Sequence, residues 1–328
     1  MRILVTGIDG FVGSHVADFL SGMPNVEIHG AILNPVPGEN LDRKIPNLRL
    51  HQVDLTQRSR VAEIFHDIRP DRVIHLAGQA FVPTAVQDPV GTIDANVSAG
   101  VYLLEAARAV REREGVDASI LIVSSGEVYG AVEANRLPVT EDHALHPVNP
   151  YAASKGGLDL IAQTYRGTYG MHVVVARPFN HAGPRQSPLF VTSGFARKFA
   201  EFTLGLKSPL LDVGNIHVRR DFTDVRDVVK AYWALLDLSA EKDVVYNVCS
   251  GVAHEIVEVI EELKLISGIE PQVILNEQKM RAYDVPLLIG SNKRLHEATG
   301  WCPEIKFRDT LRDVYMYWKE KLPKEGPR

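Results

Sequence analysis

Cysteine is scarce in this chain of 328 residues, which also lacks long apolar runs and any strongly basic block. Its two cysteines, Cys249 and Cys302, lie far apart and form no metal-type pair, so neither a disulfide framework nor a metal site is expected. A reduced, cytoplasmic protein is the natural expectation. No apolar run is long enough to span a bilayer, and the sequence turns to Gly7 too soon for a signal peptide. We therefore expect no membrane partner.

The charge balance excludes a further class of partner. The formal net charge is -5, charged residues make up 23% of the chain and no strongly basic block occurs, which argues against a nucleic-acid partner. Hydrophobic residues make up 45% of the chain, a share that is ordinary for a globular protein. The length is sufficient for about two domains.

A glycine-rich turn follows the first short apolar strand, residues 3–5. Its glycines are Gly7, Gly10 and Gly13, and an amphipathic helical pattern begins within it, over residues 12–20. Glycine permits a tight turn and a close approach of phosphate to the backbone, and the open amides at the start of the helix can hold a pyrophosphate. The spacing is G-x-x-G-x-x-G rather than G-x-G-x-x-G. The placement of the glycines between a strand and a helix, more than the triplet itself, predicts a dinucleotide site.

Strand and helix patterns alternate through the first half of the chain. Apolar runs predict strands at residues 26–33, 48–53, 72–76, 120–123 and 172–176. Helical periodicity predicts helices at residues 58–68, 89–109 and 150–168. This alternation predicts an α/β fold, namely a doubly wound parallel sheet of the Rossmann type with right-handed crossovers.

The pattern changes after residue 176, where a loop-rich stretch with several prolines begins. Further elements are predicted as a helix at 227–236, a strand at 244–248 and helices at 254–266 and 307–319. We expect a dinucleotide-binding domain and a smaller C-terminal substrate lobe. The domain is expected to comprise residues 1–176, and residues 222–250 are expected to return to it. The lobe is expected to comprise residues 177–221 and 251–328.

Tyr151 and Lys155 are four residues apart, so a helix places both on one face. A lysine ammonium beside a phenol favours the phenolate, which predicts a tyrosine pKa that falls toward neutral. Such a tyrosine can pass a proton to or from a carbonyl or alcohol oxygen. Ser125 ends the buried strand at 120–123, and ligands of open α/β sheets bind at the carboxyl ends of strands. Alone, the pair would indicate only a surface helix; the glycine-rich turn in the same chain favours a catalytic site.

The sequence leaves the choice between NAD and NADP open. The fourth strand ends in Leu76-Ala77-Gly78, small residues that let a cofactor pass close to the backbone, while His75 is interpreted as a packed side chain. The end of the second strand usually carries an acid for a ribose 2′-hydroxyl or an arginine for a 2′-phosphate. This chain has Leu33 there, with Arg43 and Lys44 in the following loop. Weak discrimination between the two cofactors is therefore expected.

The glycine triplet, Asp54, Ser125, Tyr151 and Lys155 together resemble the extended short-chain dehydrogenase/reductase family. Downstream strings are similar to those of its nucleotide-sugar branch, in enzymes that act on GDP-mannose derivatives. They are Arg177-Pro178-Phe179-Asn180-His181, Gly183-Pro184-Arg185-Gln186, Phe190-Val191-Thr192, Gly214-Asn215, Arg220-Asp221-Phe222-Thr223-Asp224 and Val285-Pro286. The resemblance covers essentially the whole chain. It implies an NAD(P)H-dependent enzyme with a GDP-sugar substrate.

The resemblance also implies a role for each site residue. Tyr151 would be the acid, Lys155 would hold the nicotinamide ribose, and Ser125 would bind the C4 oxygen of the sugar. The implied cofactor contacts, besides Tyr151 and Lys155, are Gly7, Gly10, Phe11, Val12, Gly13, Asp54, Leu55, Leu76, Ala77, Gly78 and Asn96. The implied substrate contacts are Asn180, Val191, Arg197, Arg220, Arg281 and Asp284. Arginine forks suit the diphosphate oxygens, although Arg220 could instead pair with Asp221 at the surface.

Within this family the resemblance favours reduction of the C4 ketone of GDP-4-keto-6-deoxy-D-mannose to GDP-D-rhamnose. Glu127 lies where the 4,6-dehydratases keep the base that removes the C5 proton, so a dehydratase is an alternative. The short loop at 34–47, which lacks the dehydratase insertion, favours the reductase. A sugar-nucleotide 4-epimerase and a non-catalytic dinucleotide-sensing protein are further alternatives. The family commonly forms homodimers through the helices expected at 89–109 and 150–168.

Overall fold

The computed structural model describes residues 1–41, 44–238, 243–279 and 285–325, so Arg43, Arg281 and Asp284 lie outside the described residues. The strands are β1 (Arg2–Thr6), β2 (Glu27–Ile32), β3 (Leu48–Gln52), β4 (Arg72–His75), β5 (Ser119–Val123), β6 (Val173–Pro178), β7 (Asn180–Ala182), β8 (Leu210–Val213), β9 (Arg219–Asp224), β10 (Val245–Val248), β11 (Ala253–Glu255), β12 (Gln272–Leu275) and β13 (Leu287–Leu288). The helices are α1 (Phe11–Ser21), α2 (Arg58–Ile68), α3 (Val82–Gln87), α4 (Pro89–Ile93), α5 (Ala99–Glu114), α6 (Pro150–Tyr169), α7 (Val191–Thr203), α8 (Val225–Leu236), α9 (Ile256–Ser267), α10 (Lys293–Thr299) and α11 (Phe307–Glu325).

Seven strands form a parallel sheet in the order β10-β6-β5-β4-β1-β2-β3. Its central strands read as continuous apolar runs because both faces are covered, and every residue of β5 is buried. β1 pairs with β2 on one side and β4 on the other, so the strand order reverses beside β1. The α/β doubly wound fold predicted from the sequence is confirmed.

Two hydrophobic cores cover the two faces of this sheet. On one face α1 and α8 contribute Val16 and Tyr232, both almost fully buried. On the other face α2, α5 and α6 contribute Phe65, Leu103 and Leu158. Apolar stripes on the helices thus bury both faces of the sheet, which leaves its strand ends as the place for polar chemistry.

A third core lies under the small sheets of the second half of the chain. Phe199 of α7, Val259 of α9 and Trp318 of α11 belong to it. Around it β9 pairs with β7, β11 and β13, and β8 pairs with β12. Leu295 and Trp301, although late in the sequence, belong to one of the cores of the large sheet. The two halves of the molecule are therefore interleaved along the chain.

The prediction of one regular helix at residues 89–109 is wrong for residues 94–98. Between α4 and α5 the backbone forms a π-helical segment at Asp94–Ser98. The cause is Asn96, which turns inward to bond the backbone of Gln79 and the hydroxyl of Ser154. A π-turn accommodates such an inward polar side chain without ending the helix.

Three structural observations concern disulfides, membrane spans and metal sites, which the composition argued against. Cys249 is buried, Cys302 is exposed, and both are free. Within the described ranges no helix is both long and apolar enough to cross a membrane. The same ranges contain no group of three or more histidine, cysteine, aspartate or glutamate side chains arranged to hold a metal ion.

Candidate active site

A cleft with a volume of about 500 Å³ lies at the carboxyl ends of the parallel strands, between the large sheet and the third core. Open α/β sheets bind their ligands at this position. Its lining joins segments that are far apart in the sequence. The predicted site residues that line it are Gly7, Gly10, Phe11, Val12, Gly13, Leu76, Gly78, Ser125, Glu127, Tyr151, Lys155, Asn180, Val191 and Arg220.

The glycine-rich turn leaves the first amides of α1 open to an anion. Gly7 has a φ of +68°, which glycine adopts without strain. A Cβ at Gly13 would lie 2.1 Å from the Gly7 carbonyl oxygen, so the turn closes this tightly only with glycine there. In the described part of the chain no side chain caps the helix at Gly10, and its first turn contains no acid. The turn therefore fits the pyrophosphate of an NAD(P) cofactor.

Asn96 stabilises the part of the cleft formed by the loop after β4 and the start of α6. Its Nδ2 donates to the Gln79 carbonyl oxygen and to Ser154 Oγ, both at 2.9 Å, and its Oδ1 accepts from the Gln79 N–H at 2.7 Å. Ser154 Oγ in turn donates to the Tyr151 carbonyl oxygen at 2.8 Å. Asn96, which is buried and outside the lining, thus joins the loop after β4 to the helix that carries Tyr151.

Lys155 lies at the base of the cleft and is fixed by a backbone contact. Its Nζ donates to the Val123 carbonyl oxygen at 2.8 Å, where β5 ends. Burial lowers the pKa of Lys155 to about 8. Tyr151 and Lys155 occupy the first two turns of α6 and both line the cleft, as residues on one face of a helix can.

The phenol of Tyr151 is held in its neutral form. Burial, and after it the negative charge of Glu127, raises the pKa of Tyr151 above its usual value, against an opposing hydrogen bond with Ser125. The prediction that Lys155 draws this pKa toward neutral is wrong in this structure. Desolvation of the phenol and a nearby carboxylate dominate, while the lysine Nζ is bound to a backbone carbonyl. A neutral phenol is a proton donor, the form needed to protonate an oxygen.

Glu127 is held beside Tyr151 by two hydrogen bonds. Its backbone N–H donates to Ser125 Oγ at 3.2 Å, and its Oε2 accepts from Asn149 Nδ2 at 3.2 Å. Asn149 also caps α6, because its Oδ1 accepts from the Ala152 N–H at 2.8 Å. One side chain therefore sets both the start of the helix that carries Tyr151 and the position of the carboxylate.

Two histidines near the cleft are packed side chains. His75 is 2% exposed and its Nδ1 bonds Thr6 Oγ1 at 2.8 Å, which confirms the interpretation from the sequence. Burial, with a smaller contribution from Lys155, lowers the pKa of His75 to about 3. His181 of β7 stacks on Phe11, with ring centroids 5.9 Å apart and an interplanar angle of 9°. This stack connects the glycine-rich turn to the opposite wall.

Among the predicted site residues that the structure describes, five do not line the cleft: Asp54, Leu55, Ala77, Asn96 and Arg197. The carboxylate of Asp54 accepts from the Thr56 N–H and hydroxyl at 2.9 and 2.7 Å, and these bonds hold the pKa of Asp54 below its usual range. Arg197 donates to Glu201 at 3.1 Å and lies over the Trp318 ring at 5.0 Å. Cofactor and substrate contacts by these five stay predictions.

Arg220 and Asp221 are neighbours in the sequence with separate tasks in the structure. Arg220 lines the cleft, and its Nη1 donates to the Val285 carbonyl oxygen at 2.6 Å. The Asp221 carboxylate is fully buried and accepts from the Ser250 N–H at 2.8 Å and the Gly251 N–H at 2.9 Å. The alternative of a surface ion pair between the two is therefore wrong. Asp221 instead fixes the loop after β10.

The structure also adds residues to which the sequence assigned no role. The cleft is further lined by Gln79, Phe81, His181, Gln186, Phe190, Asn215, Ile216 and Tyr232, among others. Several lie within the strings that carry the family resemblance, which was the only available signal. Asn149 had a local signal of its own, because an asparagine before a proline is typical of a helix start.

The fold and the site together define a class of protein. A Rossmann sheet, a turn suited to a pyrophosphate, and a tyrosine and lysine on one helix beside a serine constitute an NAD(P)-dependent oxidoreductase of the short-chain dehydrogenase/reductase type. The sequence model of the family described as GDP-mannose 4,6 dehydratase matches residues 4–314. The chain belongs to this family, and the resemblance stated from the sequence is confirmed.

Three matches, one to a sequence and two to solved structures, cover nearly the whole chain. GDP-6-deoxy-D-mannose reductase from Pseudomonas aeruginosa is 39% identical over 324 residues, which cover 99% of each chain. The structure of RMD from Pseudomonas aeruginosa complexed with NADPH has a TM-score of 0.84 and 38% identity, covering 98% of this chain and 99% of that one. UDP-glucose 4-epimerase from Thermus thermophilus complexed with NAD has a TM-score of 0.84 and 30% identity, covering 97% and 99%. NAD and NADPH thus both occur in similar structures.

Proposed function

We propose that this protein reduces the C4 ketone of GDP-4-keto-6-deoxy-D-mannose with NAD(P)H and releases GDP-D-rhamnose. The observation that carries the proposal is the neutral phenol of Tyr151 beside Ser125 in a cleft that fits a dinucleotide. Reduction of a ketone requires a proton donor at its oxygen, and this phenol is one. The name of the similar Pseudomonas reductase supports the choice of sugar nucleotide.

The cofactor, when bound, supplies the hydride that adds to C4 of the sugar. As the hydride adds, the electron pair of the C4–O double bond moves onto the oxygen, and the Tyr151 O–H bond breaks to protonate it. Ser125 orients the oxygen by a hydrogen bond, and Lys155, fixed on the Val123 carbonyl oxygen, orients the nicotinamide ribose. The product is an alcohol, with one cofactor oxidised per sugar.

The substrate contacts are proposed in part from the cleft. Asn180 and Arg220 on its wall are suited to the diphosphate, since an amide and a guanidinium both donate to phosphate oxygens. Val191, at the start of α7, would contact the sugar nucleotide through its apolar side chain. Arg281 and Asp284 lie outside the described residues, and their roles rest on the family resemblance.

A test of this function measures cofactor consumption. With GDP-4-keto-6-deoxymannose we expect one NAD(P)H oxidised per molecule of GDP-rhamnose formed, and no reaction without added cofactor. No turnover would instead favour the dinucleotide-sensing alternative. Interconversion of C4 epimers without net cofactor oxidation would favour an epimerase.

Glu127 makes a 4,6-dehydratase the second candidate, because its carboxylate is held next to Tyr151 by Asn149. A dehydratase regenerates its cofactor in each turnover and needs a base for the C5 proton. GDP-mannose alone should therefore yield a 4-keto-6-deoxy sugar if this alternative holds. In the proposed reductase Glu127→Gln should keep measurable reduction, whereas in a dehydratase the same change should abolish turnover.

We infer a homodimer formed through α4 and α6, where Val90, Ile93 and Leu160 expose apolar side chains. Light scattering of the purified protein should give twice the chain mass, and Leu160→Glu should shift the equilibrium to monomer.

The two expected domains remain a proposal, with the addition that Leu295 and Trp301 pack on the dinucleotide side. Free Cys249 and Cys302 support a cytoplasmic location.

A further inference from the structure

Asp9 lies in the glycine-rich turn, directly before Gly10. Its Oδ2 accepts a hydrogen bond from the Gly38 backbone N–H at 3.0 Å. A Cβ at Gly38 would lie 3.0 Å from the Asp9 carbonyl oxygen, so the loop that follows β2 packs directly against the turn. The partly exposed carboxylate of Asp9 is therefore positioned between these two segments.

The turn after β1 and the end of β2 leave the sheet side by side. Thr6 pairs with Ala31 in the parallel register, and the Gly7 N–H donates to the Ala31 carbonyl oxygen at 3.0 Å. In dinucleotide-binding sheets the adenosine ribose lies here, and an acid at the end of β2 usually accepts its hydroxyls. Leu33, 63% exposed at that end, offers no acceptor. Asp9, three residues after the neighbouring strand β1, carries a carboxylate that contacts the loop following Leu33 at Gly38.

The negative charge of Asp9 is not neutralised by the residues described. Within 1–41, 44–238, 243–279 and 285–325, its hydrogen bond is the one from Gly38, a neutral donor. Arg185 reaches the same loop, where its Nη1 donates to the Asn40 carbonyl oxygen at 3.3 Å, but its Nη2 pairs with Asp18 at 2.5 Å. A ribose 2′-hydroxyl can donate to such a carboxylate, whereas a 2′-phosphate brings charge of the same sign.

We propose that Asp9 selects NADH over NADPH, by accepting a hydrogen bond from the adenosine ribose and by repelling a 2′-phosphate. This specificity-determining role replaces the weak discrimination expected from Leu33 alone. It rests on the proposed function only in requiring a nicotinamide cofactor, because it concerns the adenosine end and not the sugar.

Titration calorimetry of the purified full chain with NADH and NADPH, without sugar nucleotide, tests the proposal by binding alone. The native protein should bind NADH at least about tenfold more tightly, since a hydrogen bond to a charged group and a like-charge contact both separate the two ligands. Asp9→Asn keeps an acceptor for the Gly38 N–H but removes the charge. It should reduce the preference to below about threefold, chiefly through tighter NADPH binding.

Glu39→Gln is the matched control. It makes the same charge change in the loop after β2, next to Gly38, but Glu39 is 84% exposed and pairs with Lys321 at 3.1 Å, so the cofactor preference should stay unchanged. Asp9→Ser, with its thermal midpoint measured without ligand, serves if Asp9→Asn does not fold. Adenosine 2′,5′-bisphosphate and 5′-AMP differ only in the 2′-phosphate, and Asp9→Asn should narrow their difference in affinity by a similar factor.

Two results would overturn the inference: tighter binding of NADPH by the native protein, or the same cofactor ratio in the native protein and both Asp9 variants. The proposed reduction fails separately. A chain that prefers NADH through Asp9 but oxidises no cofactor with GDP-4-keto-6-deoxymannose would remove the proposed function and leave this inference in place.

Discussion

The amide of Asn149 donates to Glu127 Oε2 at 3.2 Å while its own oxygen accepts from the first turn of α6 at Ala152, at 2.8 Å. The carboxylate and the helix that carries Tyr151 are thus held in a fixed relation by one side chain. Because the charge of Glu127 helps to keep the Tyr151 phenol neutral, the position of Asn149 affects the proton donor through Glu127.

Two substitutions at Asn149 distinguish its role as the cap of α6 from its role as the hydrogen-bond donor to Glu127. Serine can still cap the helix but cannot reach Glu127 with an amide donor, whereas alanine does neither. We expect both variants to lose about tenfold in kcat, as one hydrogen bond to a charged group is lost. Only Asn149→Ala should also lose about 1 kcal/mol of unfolding free energy, measured in urea. Native kcat in Asn149→Ser would contradict a positioning role.

Removal of the Tyr151 hydroxyl should abolish most of the activity and spare cofactor binding. Tyr151→Phe is expected to lose at least about a hundredfold in kcat, the usual scale for general acid catalysis. Tyr169→Phe, at the exposed end of the same helix, is the control and should keep native turnover. Steady-state kinetics and cofactor titrations distinguish the two effects, and near-native turnover in Tyr151→Phe would remove the assignment of the acid.

The sheet, the cleft and much of its lining could be predicted because their signals are local. The alternation of apolar runs and helical periods indicated the parallel sheet, and the four-residue spacing placed Tyr151 and Lys155 on one face. The glycine-rich turn was recognisable because each glycine meets a steric requirement, as the 2.1 Å approach at Gly13 shows. Strand and helix ends moved by a few residues, since end positions depend on caps and packing.

The contacts that tune the site could not be predicted because they join distant side chains. Asn149 and Glu127 are 22 residues apart, and Asp9 and Gly38 are 29 apart. The π-helical segment arises from a tertiary bond of Asn96, which no helical period reveals. The pKa of Tyr151 differs from the prediction for a similar reason. Burial, a property of the folded molecule, raises this pKa, whereas the spacing to Lys155 predicted that it would fall.

The ion pair between Arg177 and Asp159 connects α6, the helix that carries Tyr151, to β6. Nε and Nη2 of Arg177 donate to the two carboxylate oxygens at 2.7 and 3.1 Å, and both residues are almost fully buried. Asp159→Ala should therefore cost about 3–5 kcal/mol in unfolding free energy, because the guanidinium is left buried without its partner. Glu112→Ala, which breaks a surface pair with Arg108 on α5, should leave it almost unchanged. Equal losses in urea unfolding would contradict this prediction.

Acid should destabilise the protein through His15 and His75, which are neutral in the folded state. His15 Nε2 donates to the Pro184 carbonyl oxygen at 2.9 Å, and its Nδ1 accepts from Arg185 at 2.8 Å. Burial, with a smaller contribution from Arg185, lowers the pKa of His15 to about 4, and burial with Lys155 lowers that of His75 to about 3. Both values lie below the unfolded value of 6.5.

Because both pKa values are lowered on folding, the unfolded chain binds protons first as the pH falls. The free energy of unfolding should therefore decrease below about pH 6.5, by up to about 1.4 kcal/mol per pH unit for each histidine, until about pH 4 for His15 and about pH 3 for His75. Urea unfolding at pH 7 and pH 5 measures this loss. His15→Gln and His75→Gln should each reduce it by up to about 2 kcal/mol, whereas the exposed His146→Gln should not. An equal loss in all three variants would assign the acid sensitivity to other groups.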